Sequence, residues 1–305
     1  MTDLKIAILG ASGIGKFHAH EYKSLDCDIV AILGSTKERA KKTASMLCEN
    51  FGINAKPYHE LEKLLEEKID AVSICTPPEL HEQQVRKCLE RGLNVLCEKP
   101  FVQGENNYQE ARELAKLAEE KNKILTINTQ WPSVIPAIGD YADLARVKSF
   151  SMSMEPGVKC KEMIIDSLPH MNSMLIALIP NGKPEKISFP KREDEDIEIK
   201  FNYVFEKGEC EVKYNFRYKT ERPRNIGFGI NGVSFVREVG ENYKQKLVCN
   251  GKSIEIEDPL KVSVRSFIEA IGGRGKPLIS EREILENVYL QERIIKEFLI
   301  QLDFS

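Results

Sequence analysis

Residues 71–101 read AVSICTPPELHEQQVRKCLERGLNVLCEKPF, and their order of apolar runs and polar turns is the most informative pattern in the chain. A strand-length apolar run, Ala71–Cys75, ends at Thr76-Pro77-Pro78, where the prolines keep a helix from continuing. Apolar residues then recur at helical spacing from about Glu79 to Arg91, and a second apolar run covers Leu93–Cys97. A strand, a helix and a second strand in this order predict a βαβ crossover and therefore a parallel sheet.

Two polar turns follow these two predicted strands directly. Thr76-Pro77-Pro78 follows the first strand, and Glu98-Lys99-Pro100 follows the second. Because ligands of open parallel sheets bind at the carboxyl ends of the strands, both turns are expected at a ligand-binding edge. At that edge, Lys99 could contact a cofactor and a substrate at once.

The start of the chain carries a glycine-rich turn between a strand and a helix. The predicted strand is Lys5–Leu9, and the turn that follows it leads into a helix that reaches about Leu25. A dinucleotide-binding turn needs small residues, so that backbone amides and a helix N-terminus can approach a pyrophosphate. Ser12 stands where the second glycine of the fingerprint usually lies, and we interpret it as a small substitute whose hydroxyl can donate to phosphate. The residues expected at the pyrophosphate are Gly10, Ser12, Gly13, Ile14 and Gly15.

The chain changes character after about residue 129. Up to that point strands and helices alternate, whereas about five β-like segments lie between Lys186 and Ile256, and two helices close the sequence. The pattern predicts an α/β protein with a Rossmann doubly wound parallel sheet in residues 1–129. Residues 130–305 are expected to form an α+β domain with an open, mainly antiparallel sheet, for substrate binding and oligomerisation; the final helices could pack back on the first domain. The polar run Lys191–Asp196 is interpreted as a solvated loop.

Composition excludes several classes of function. The 305-residue chain has a formal net charge of −3, which argues against a nucleic-acid-binding surface. Its apolar runs are shorter than the roughly 20 residues of a membrane helix, and its first residues lead into a strand, which predicts neither membrane insertion nor a signal peptide. Eight scattered cysteines without a Cys-x-x-Cys pair are interpreted as reduced thiols of a cytoplasmic protein. Five histidines, none paired at metal-ligand spacing on one helix, predict no metal site.

The end of the second predicted strand, Asp28–Leu33, bears on the choice of cofactor. NAD-binding chains generally carry an acidic residue here for the adenosine ribose hydroxyls, and Gly34 occupies that position. Loss of the carboxylate removes repulsion of a 2′-phosphate, and the next residues can supply donors and positive charge. We therefore expect NADP(H) to be favoured, with NAD(H) as the alternative. The positive charges of Lys37 and Arg39 could instead be ordinary charges on a helix surface. The residues concerned are Ser35, Thr36, Lys37 and Arg39.

These segments together resemble the glucose–fructose oxidoreductase / inositol dehydrogenase / MocA family of nicotinamide-dependent oxidoreductases. Glu98-Lys99-Pro100 after an apolar strand is a hallmark of that family, and here a Thr-Pro-Pro turn and His81 precede it. Lys16-Phe17-His18-Ala19 follows the glycine-rich turn, as in many members. The resemblance implies hydride transfer between a nicotinamide and a sugar, a polyol or a related carbonyl compound. It also implies cofactor contacts from Thr76, Pro77, His81, Glu98 and Lys99.

A second signature of this family, Asp-x-x-x-His, matches the segment from Asp166 to His170. Residues four apart share one face of a helix, although Pro169 could distort that turn. The resemblance implies that His170, whose unperturbed pKa near 6.5 suits proton transfer, acts as general acid or base at the substrate oxygen. It further implies that Lys99 holds and polarises this oxygen and that Asp166 binds a neighbouring hydroxyl.

The segment after the strand Ile124–Thr129 departs from the family pattern. The family commonly has Asn-x-Arg followed by an aromatic residue, and this chain has Asn128-Thr129-Gln130-Trp131, which lacks the cation. Gln130 and Trp131 are candidate substrate-binding residues. The indole of Trp131 could stack on a sugar face or cover a cleft between the domains.

An aromatic stripe in the β-rich region suggests an assembly. If the closing helices cover one face of the predicted sheet, alternate residues would leave aromatic side chains exposed on the other, and such a patch usually marks an association surface. The family often dimerises or tetramerises through this sheet, so we expect a homodimer or a homotetramer. The residues of the stripe are Phe201, Tyr203, Phe205, Tyr214, Phe216 and Tyr218.

Two other functions remain open at this stage. One is a reductase that acts on a non-sugar carbonyl or imine, because a fold does not fix its substrate. The other is a regulator that binds the nucleotide without turnover. Retention of Lys99, Asp166 and His170 together favours an enzyme, since a regulator would have no reason to keep all three.

Overall fold

The computed structural model describes residues 4–104 and 106–303. The chain divides into two compact units, each with its own core. Unit 1 comprises the residues up to Asn128 together with Leu260–Ile284, and unit 2 comprises Thr129–Pro259 together with the residues from Leu285 onward.

Within the described residues, unit 1 is built on a six-stranded parallel sheet. The strand order is β3-β2-β1-β4-β5-β6, which is the doubly wound order of dinucleotide-binding domains. The two central strands are mainly apolar and almost wholly buried, because helices cover both faces of such a sheet. The predicted Rossmann fold is therefore confirmed. The strands are β1 (Lys5–Leu9), β2 (Asp28–Leu33), β3 (Lys56–Tyr58), β4 (Ala71–Ile74), β5 (Asn94–Glu98) and β6 (Leu125–Asn128).

Helices link these parallel strands, and their ends follow local sequence signals. The second helix is typical: the Thr36 hydroxyl accepts the Arg39 amide at its start, and Gly52, with φ of +64°, follows its last residue. A short 3₁₀ turn, Pro78–Leu80, precedes the fourth helix, as the Pro-Pro sequence predicts. The helices are α1 (Gly15–Ser24), α2 (Lys37–Phe51), α3 (Leu61–Leu64), α4 (His81–Glu90) and α5 (Asn107–Lys121).

The described part of unit 2 forms an eight-stranded sheet in the order β14-β13-β12-β11-β7-β10-β9-β8. Neighbouring strands are antiparallel except for β7 and β10, which run parallel, so the prediction of a mainly antiparallel sheet is confirmed. The strands are β7 (Ser149–Met154), β8 (Lys183–Glu193), β9 (Asp196–Phe205), β10 (Gly208–Arg217), β11 (Ile226–Ile230), β12 (Val233–Val239), β13 (Gln245–Cys249) and β14 (Lys252–Glu255).

Four further helices complete the described chain. Apolar side chains of the long helices α7 and α9, such as Met163, Leu168 and Ile294, lie in one core cluster with residues of the eight-stranded sheet. The helix α8 contributes Val264 and Phe267 to the core of unit 1. The bounds are α6 (Ile135–Ile138), α7 (Lys161–Leu178), α8 (Pro259–Ile271) and α9 (Glu281–Asp303).

The expectation of an exposed aromatic stripe is wrong. Phe201, Tyr203, Tyr214 and Phe216 are at most 3 % exposed and belong to the core of unit 2, with Phe205 and Tyr218 packed against it. The alternate positions carry polar residues such as Lys200, Asn202, Lys213 and Asn215. Alternation along a strand does not reveal which of the two sets of side chains faces the covering helices. In the structure it is the aromatic set that faces them. The homodimer or homotetramer stays a prediction, but an exposed aromatic stripe no longer supports it.

The prediction of a solvated loop at Lys191–Asp196 is also wrong for most of this segment. Its ends belong to β8 and β9, which form an antiparallel hairpin with Asp194 and Glu195 at the turn. Six polar residues in a row hide the apolar alternation by which a strand is recognised.

Three further findings concern predicted absences. None of the described helices is long and apolar enough to cross a membrane. No group of three or more metal-ligating side chains in the described ranges could hold a metal ion. The eight cysteines, which all lie in the described ranges, form no disulfide, and five of them are buried. The cytoplasmic location stays a prediction.

Candidate functional site

The glycine-rich turn packs tightly against the end of β4. Gly10 has φ of +86°, and a Cβ on it would lie 2.6 Å from the Cys75 carbonyl oxygen. A Cβ on Gly15 would lie 2.5 Å from the Gly10 carbonyl oxygen. Both positions therefore require glycine, whereas Ser12, Gly13 and Ile14 are exposed between them. The helix α1 begins directly after this exposed segment, so its first amides are open to an anion such as a pyrophosphate.

A buried ion pair connects α1 to the residue before Lys99. The Nδ1 atom of His18 lies 2.8 Å from the Ser73 hydroxyl, and Nε2 lies 2.9 Å from Oε1 of Glu98. Asn128, at the end of β6, donates to the same Glu98 oxygen at 2.5 Å. The Lys99 backbone amide donates to the other oxygen, Oε2, at 3.3 Å. Three segments of unit 1 thus meet at the Glu98 carboxylate, and Ser73 of β4 joins them through His18.

The two partners of this ion pair stabilise each other's charged form. Burial opposes the imidazolium of His18, but Cys75 and the Glu98 carboxylate outweigh burial and raise the pKa of His18 to about 10. Burial likewise opposes ionisation of Glu98, but hydrogen bonds from His18 and Asn128, with the charges of His18 and Lys99, lower its pKa to about 2. Both groups are therefore charged at neutral pH.

His81 ties the two polar turns together. Its ring is fully buried, with Nδ1 2.8 Å from the Pro100 carbonyl oxygen and Nε2 2.9 Å from the Thr76 carbonyl oxygen. The Thr76 hydroxyl donates to Gln84 Oε1 at 2.6 Å. Since both ring nitrogens of His81 are engaged by backbone, the structure gives it a positioning role between the turns. Pro77, which precedes the 3₁₀ turn, lies on the same segment.

The end of β2 has a structural reason for glycine that the sequence does not reveal. A Cβ on Gly34 would lie 2.7 Å from the Ala40 amide nitrogen, so α2 begins too close for a side chain. The following residues Ser35, Thr36, Lys37 and Arg39 are exposed, and the Arg39 guanidinium donates to Ser35 Oγ at 3.3 Å. Sequence reasoning also passed over Glu38 in the same turn. Hydrogen bonds from its own backbone amide and from Thr36 lower the pKa of this carboxyl.

In unit 2, α7 carries Asp166 and His170 without interruption by Pro169. A proline at this position cannot donate to the Ile165 carbonyl oxygen four residues earlier. Gln291 of α9 supplies that donor at 3.3 Å. Asn287, one turn before Gln291, donates to the Pro169 carbonyl oxygen at 2.7 Å and to Ser173 Oγ at 2.7 Å.

Asp166 and His170 keep their helical spacing, because α7 continues through Pro169. Asp166 and His170 lie one helical turn apart, so their side chains leave the same face of α7. The Ser167 hydroxyl donates to Asp166 Oδ2 at 3.3 Å. The distortion considered for Pro169 does not break the helix.

Gln130 and Trp131 begin a 3₁₀ turn in unit 2. The Trp131 ring is only 2 % exposed and packs in the core, so stacking on a sugar would require the ring to leave it. Gln130 is half-buried.

The predicted site residues are divided between the two units. Lys99 and the candidate cofactor residues belong to unit 1, whereas Gln130, Trp131, Asp166 and His170 belong to unit 2. Sequence reasoning missed Ser73 and Asn128 as partners of the buried ion pair, and it left His18 undecided. Both could have been recognised from the sequence, because each is a polar residue in or at the end of an otherwise apolar strand.

Comparisons with known proteins agree with this geometry. Residues 4–129 match a family model described as "Oxidoreductase family, NAD-binding Rossmann fold". An uncharacterized oxidoreductase of Schizosaccharomyces pombe is 37% identical over 130 residues, which is 42% of this chain and 34% of that protein. The D-glucoside 3-dehydrogenase of Escherichia coli is 34% identical over 127 residues, 41% of this chain and 34% of that protein. These matches therefore span about a third of the length of the curated relatives.

The likeness to solved structures extends over nearly the whole chain. The UDP-N-acetylglucosamine 3-dehydrogenase of Acidithiobacillus ferrooxidans superposes with a TM-score of 0.76 at 17% sequence identity, and the match covers 96% of this chain and 97% of that one. At this identity the likeness establishes the fold alone.

Proposed function

Because residues 4–129 of this chain match the model of the oxidoreductase family with an NAD-binding Rossmann fold, we propose that the protein is a nicotinamide-dependent oxidoreductase. We further propose that it transfers a hydride between the nicotinamide and a sugar, a polyol or a related carbonyl compound. The observation that carries the proposal is the contact of 2.9 Å between His18 and Glu98. It fixes the helix after the glycine-rich turn to the residue before Lys99, so that a phosphate-binding turn and a lysine share one edge of the sheet.

The residues of unit 1 fit a dinucleotide. Gly10 and Gly15 leave no space for side chains beside the turn, and Ser12 and Gly13 are exposed there for backbone contact with a pyrophosphate. A bound nicotinamide would supply the hydride acceptor or donor that the chain itself lacks. Lys99, held through its backbone amide by Glu98, would hold and polarise the substrate oxygen.

Unit 2 would supply the proton transfer. A secondary alcohol that loses a hydride must also lose the proton on its oxygen, and His170 would take that proton or return it in the reverse direction. Asp166, one turn earlier on the same face of α7, would bind a neighbouring hydroxyl. The substrate would therefore carry at least two oxygens on adjacent carbons, as sugars and polyols do.

The activity can be tested with aldoses, inositols and keto-sugars, each with NADPH and with NADH, by the absorbance of the reduced nicotinamide. We expect Lys99→Ala and His170→Ala each to lower turnover by about 10²-fold or more, with nucleotide affinity within a few-fold of the parent. His20→Ala is the matched control, because this histidine is exposed and pairs with Glu21 on the surface. Parent-like turnover of His170→Ala would exclude His170 as the acid or base.

NADP(H) is the cofactor that we propose is favoured. Lys37 and Arg39 are exposed beside the end of β2, with Ser35 and Thr36 as neutral donors, and these groups can pair with a 2′-phosphate. The charged Glu38 in the same turn works against this preference. Replacement of Gly34 by aspartate is unsuitable as a test, because its Cβ would meet the Ala40 amide.

Titration with both nucleotides tests the preference. We expect Arg39→Gln to weaken NADPH binding by about 10-fold and to leave NADH binding nearly unchanged, because a charge-assisted hydrogen bond contributes about 1.5–3 kcal/mol. Lys41→Gln, also exposed on α2, should change neither affinity. Equal binding of both nucleotides by the parent would overturn the proposed preference but not the proposed oxidoreductase activity.

A further inference from the structure

We propose that Arg237, together with Arg222 and Arg224, forms an anion-binding site in unit 2, and that its ligand is a sugar or polyol with a carboxylate or phosphate group. The inference deepens the proposed function and rests on it in one respect: the anionic molecule is taken to be the substrate.

Arg237 projects from β12 onto the face of Trp131, with its Cζ atom 5.6 Å from the ring centroid. Its guanidinium donates to the Arg224 carbonyl oxygen and, at 3.4 Å, to Gln245 Oε1. Both acceptors are neutral. Gln245 in turn donates to Oδ2 of the Asp258 carboxylate at 3.3 Å. None of the described carboxylates lies within ion-pair distance of Arg237.

Arg224 contacts Arg237 through its backbone carbonyl, and its own guanidinium packs on Gly157. The packing is so close that a Cβ on Gly157 would lie 1.8 Å from Nη2, so glycine makes room for the guanidinium. The Nε atoms of Arg224 and Arg237 are both buried, and neither has an acceptor among the described residues. Buried N–H groups that lack an acceptor are destabilising and uncommon, and two together are a sign of a ligand-binding role.

The local charge supports an anion. Burial and the neighbouring charge of Arg222 lower the pKa of Arg237, and the more distant Asp258 only partly offsets them. A partly buried arginine commonly pairs with a carboxylate, and none of the described carboxylates pairs with Arg237. Planar guanidinium groups bind the oxygens of a carboxylate or a phosphate in pairs. An oxyanion would therefore satisfy both the charge and the open donors.

The position of the cluster connects it to the substrate. Arg237 covers Trp131, which follows Gln130 in the chain, and both are candidate substrate residues. Gln130 therefore adjoins in sequence the residue that Arg237 covers. This argues for a substrate of sugar size with one acidic group, rather than for a large polyanion.

Calorimetric titration of the full-length protein compares D-glucuronate, D-glucose 6-phosphate and D-glucose. We expect one of the two anionic sugars to bind at least about 10-fold more tightly than D-glucose, with an advantage that falls as salt is added. A preference for glucuronate would identify a sugar acid, and a preference for the phosphate would identify a sugar phosphate. Arg237→Gln and Arg222→Gln should each remove most of the advantage.

The controls separate this inference from the proposed function. Arg222 is exposed, so its variant should fold even if Arg237→Gln does not. Arg217→Gln, which removes an exposed arginine that pairs with Asp196, should keep the advantage. Equal binding of neutral and anionic sugars, an advantage that survives Arg222→Gln, or no binding at all would overturn the site. Arginine-dependent anion binding without nicotinamide-linked turnover would support the site and contradict the proposed function.

Discussion

Glu98 and Lys99 are neighbours in the chain, but the structure gives them different surroundings. Glu98 is buried and bound by His18, Asn128 and the Lys99 amide, whereas Lys99 follows it out of the strand. We infer that Glu98 positions Lys99 and does not itself touch a cofactor.

Removal of one partner from this buried pair should be costly. His18→Gln leaves the Glu98 carboxylate without its cation, and we expect a loss of about 3–5 kcal/mol in the free energy of unfolding. The double variant His18→Gln/Glu98→Gln should lose less than the sum of the two single variants, because no charge is then buried alone. Denaturant titrations measure this coupling. Additive losses would contradict a coupled ion pair, and His20→Gln, on an exposed pair, should change stability by less than about 1 kcal/mol.

The same pair predicts a pH dependence of stability. The pKa of His18 rises from 6.5 to about 10, so its contribution is complete below pH 6.5 and is lost as pH rises towards 10. The pKa of Glu98 falls from 4.5 to about 2, so its contribution is complete above pH 4.5 and is lost as pH falls towards 2. We therefore expect the stability difference between the parent and the double glutamine variant to be largest between pH 4.5 and 6.5. A difference that does not change from pH 3 to pH 9 would contradict these shifts.

At the scale of elements, α7 shows how a neighbouring helix can compensate for a proline. Gln291 donates to the carbonyl oxygen that Pro169 leaves without a backbone donor, and Asn287 donates one turn further along. The Asp166–His170 spacing therefore depends on side chains of α9 that lie more than 115 residues away in sequence.

This compensation can be measured as a coupling. Gln291→Ala should destabilise the parent by about 1–3 kcal/mol, because the Ile165 carbonyl oxygen then lacks a donor. In a Pro169→Ala background the residue at position 169 has its own N–H for that oxygen, and Gln291→Ala should cost clearly less. Thermal unfolding of the four proteins gives the comparison. An equal cost in both backgrounds would show that Gln291 stabilises unit 2 in another way.

How well the sequence predicts each element depends on the strength of its local signal. The bounds of α2, Lys37–Phe51, could be predicted because Thr36 caps its start and Gly52 ends it. The strand β11 could not, since Gly227 and Gly229 are poor strand formers, and β8 ends in a run of charges. Long-range partners such as Gln291 for α7 leave no local pattern, because only the tertiary fold brings them together.

At the scale of the molecule, the compact units do not follow the order of the chain. Unit 1 consists of the residues up to Asn128 and a second segment that begins at Leu260. Residues 4–129, which match the family model, therefore do not contain all the residues that form the core of unit 1. Leu260, Val264, Phe267 and Ile268 of α8 are buried in one cluster with Ile6, Ile8 and Ile29. Alternation of strands and helices predicted the sheet of unit 1, whereas the packing of a final helix on this unit was expected only as an option, since an amphipathic helix carries no signal for its partner.

This arrangement leads to a prediction about nucleotide binding. Phe267 is fully buried in the core of unit 1, and Phe267→Ala should cost about 3–5 kcal/mol of stability in that unit. A nucleotide that binds only folded unit 1 stabilises it in proportion to the logarithm of its concentration. Added nucleotide should therefore restore much of the lost thermal stability of Phe267→Ala, although this residue lies more than 250 positions after the glycine-rich turn.

Phe298 provides the matched control, because it is 5 % exposed and lies in the core of unit 2. Phe298→Ala should lower the unfolding temperature of unit 2, and a ligand of unit 1 should restore little of that loss. Unfolding followed by hydrogen exchange, which reports on each segment separately, distinguishes the two variants. If nucleotide rescued both variants equally, the two units would unfold together and the division into separate cores would carry no energetic meaning. Rescue of Phe267→Ala alone would identify α8 as a part of the nucleotide-binding unit that the order of the sequence conceals.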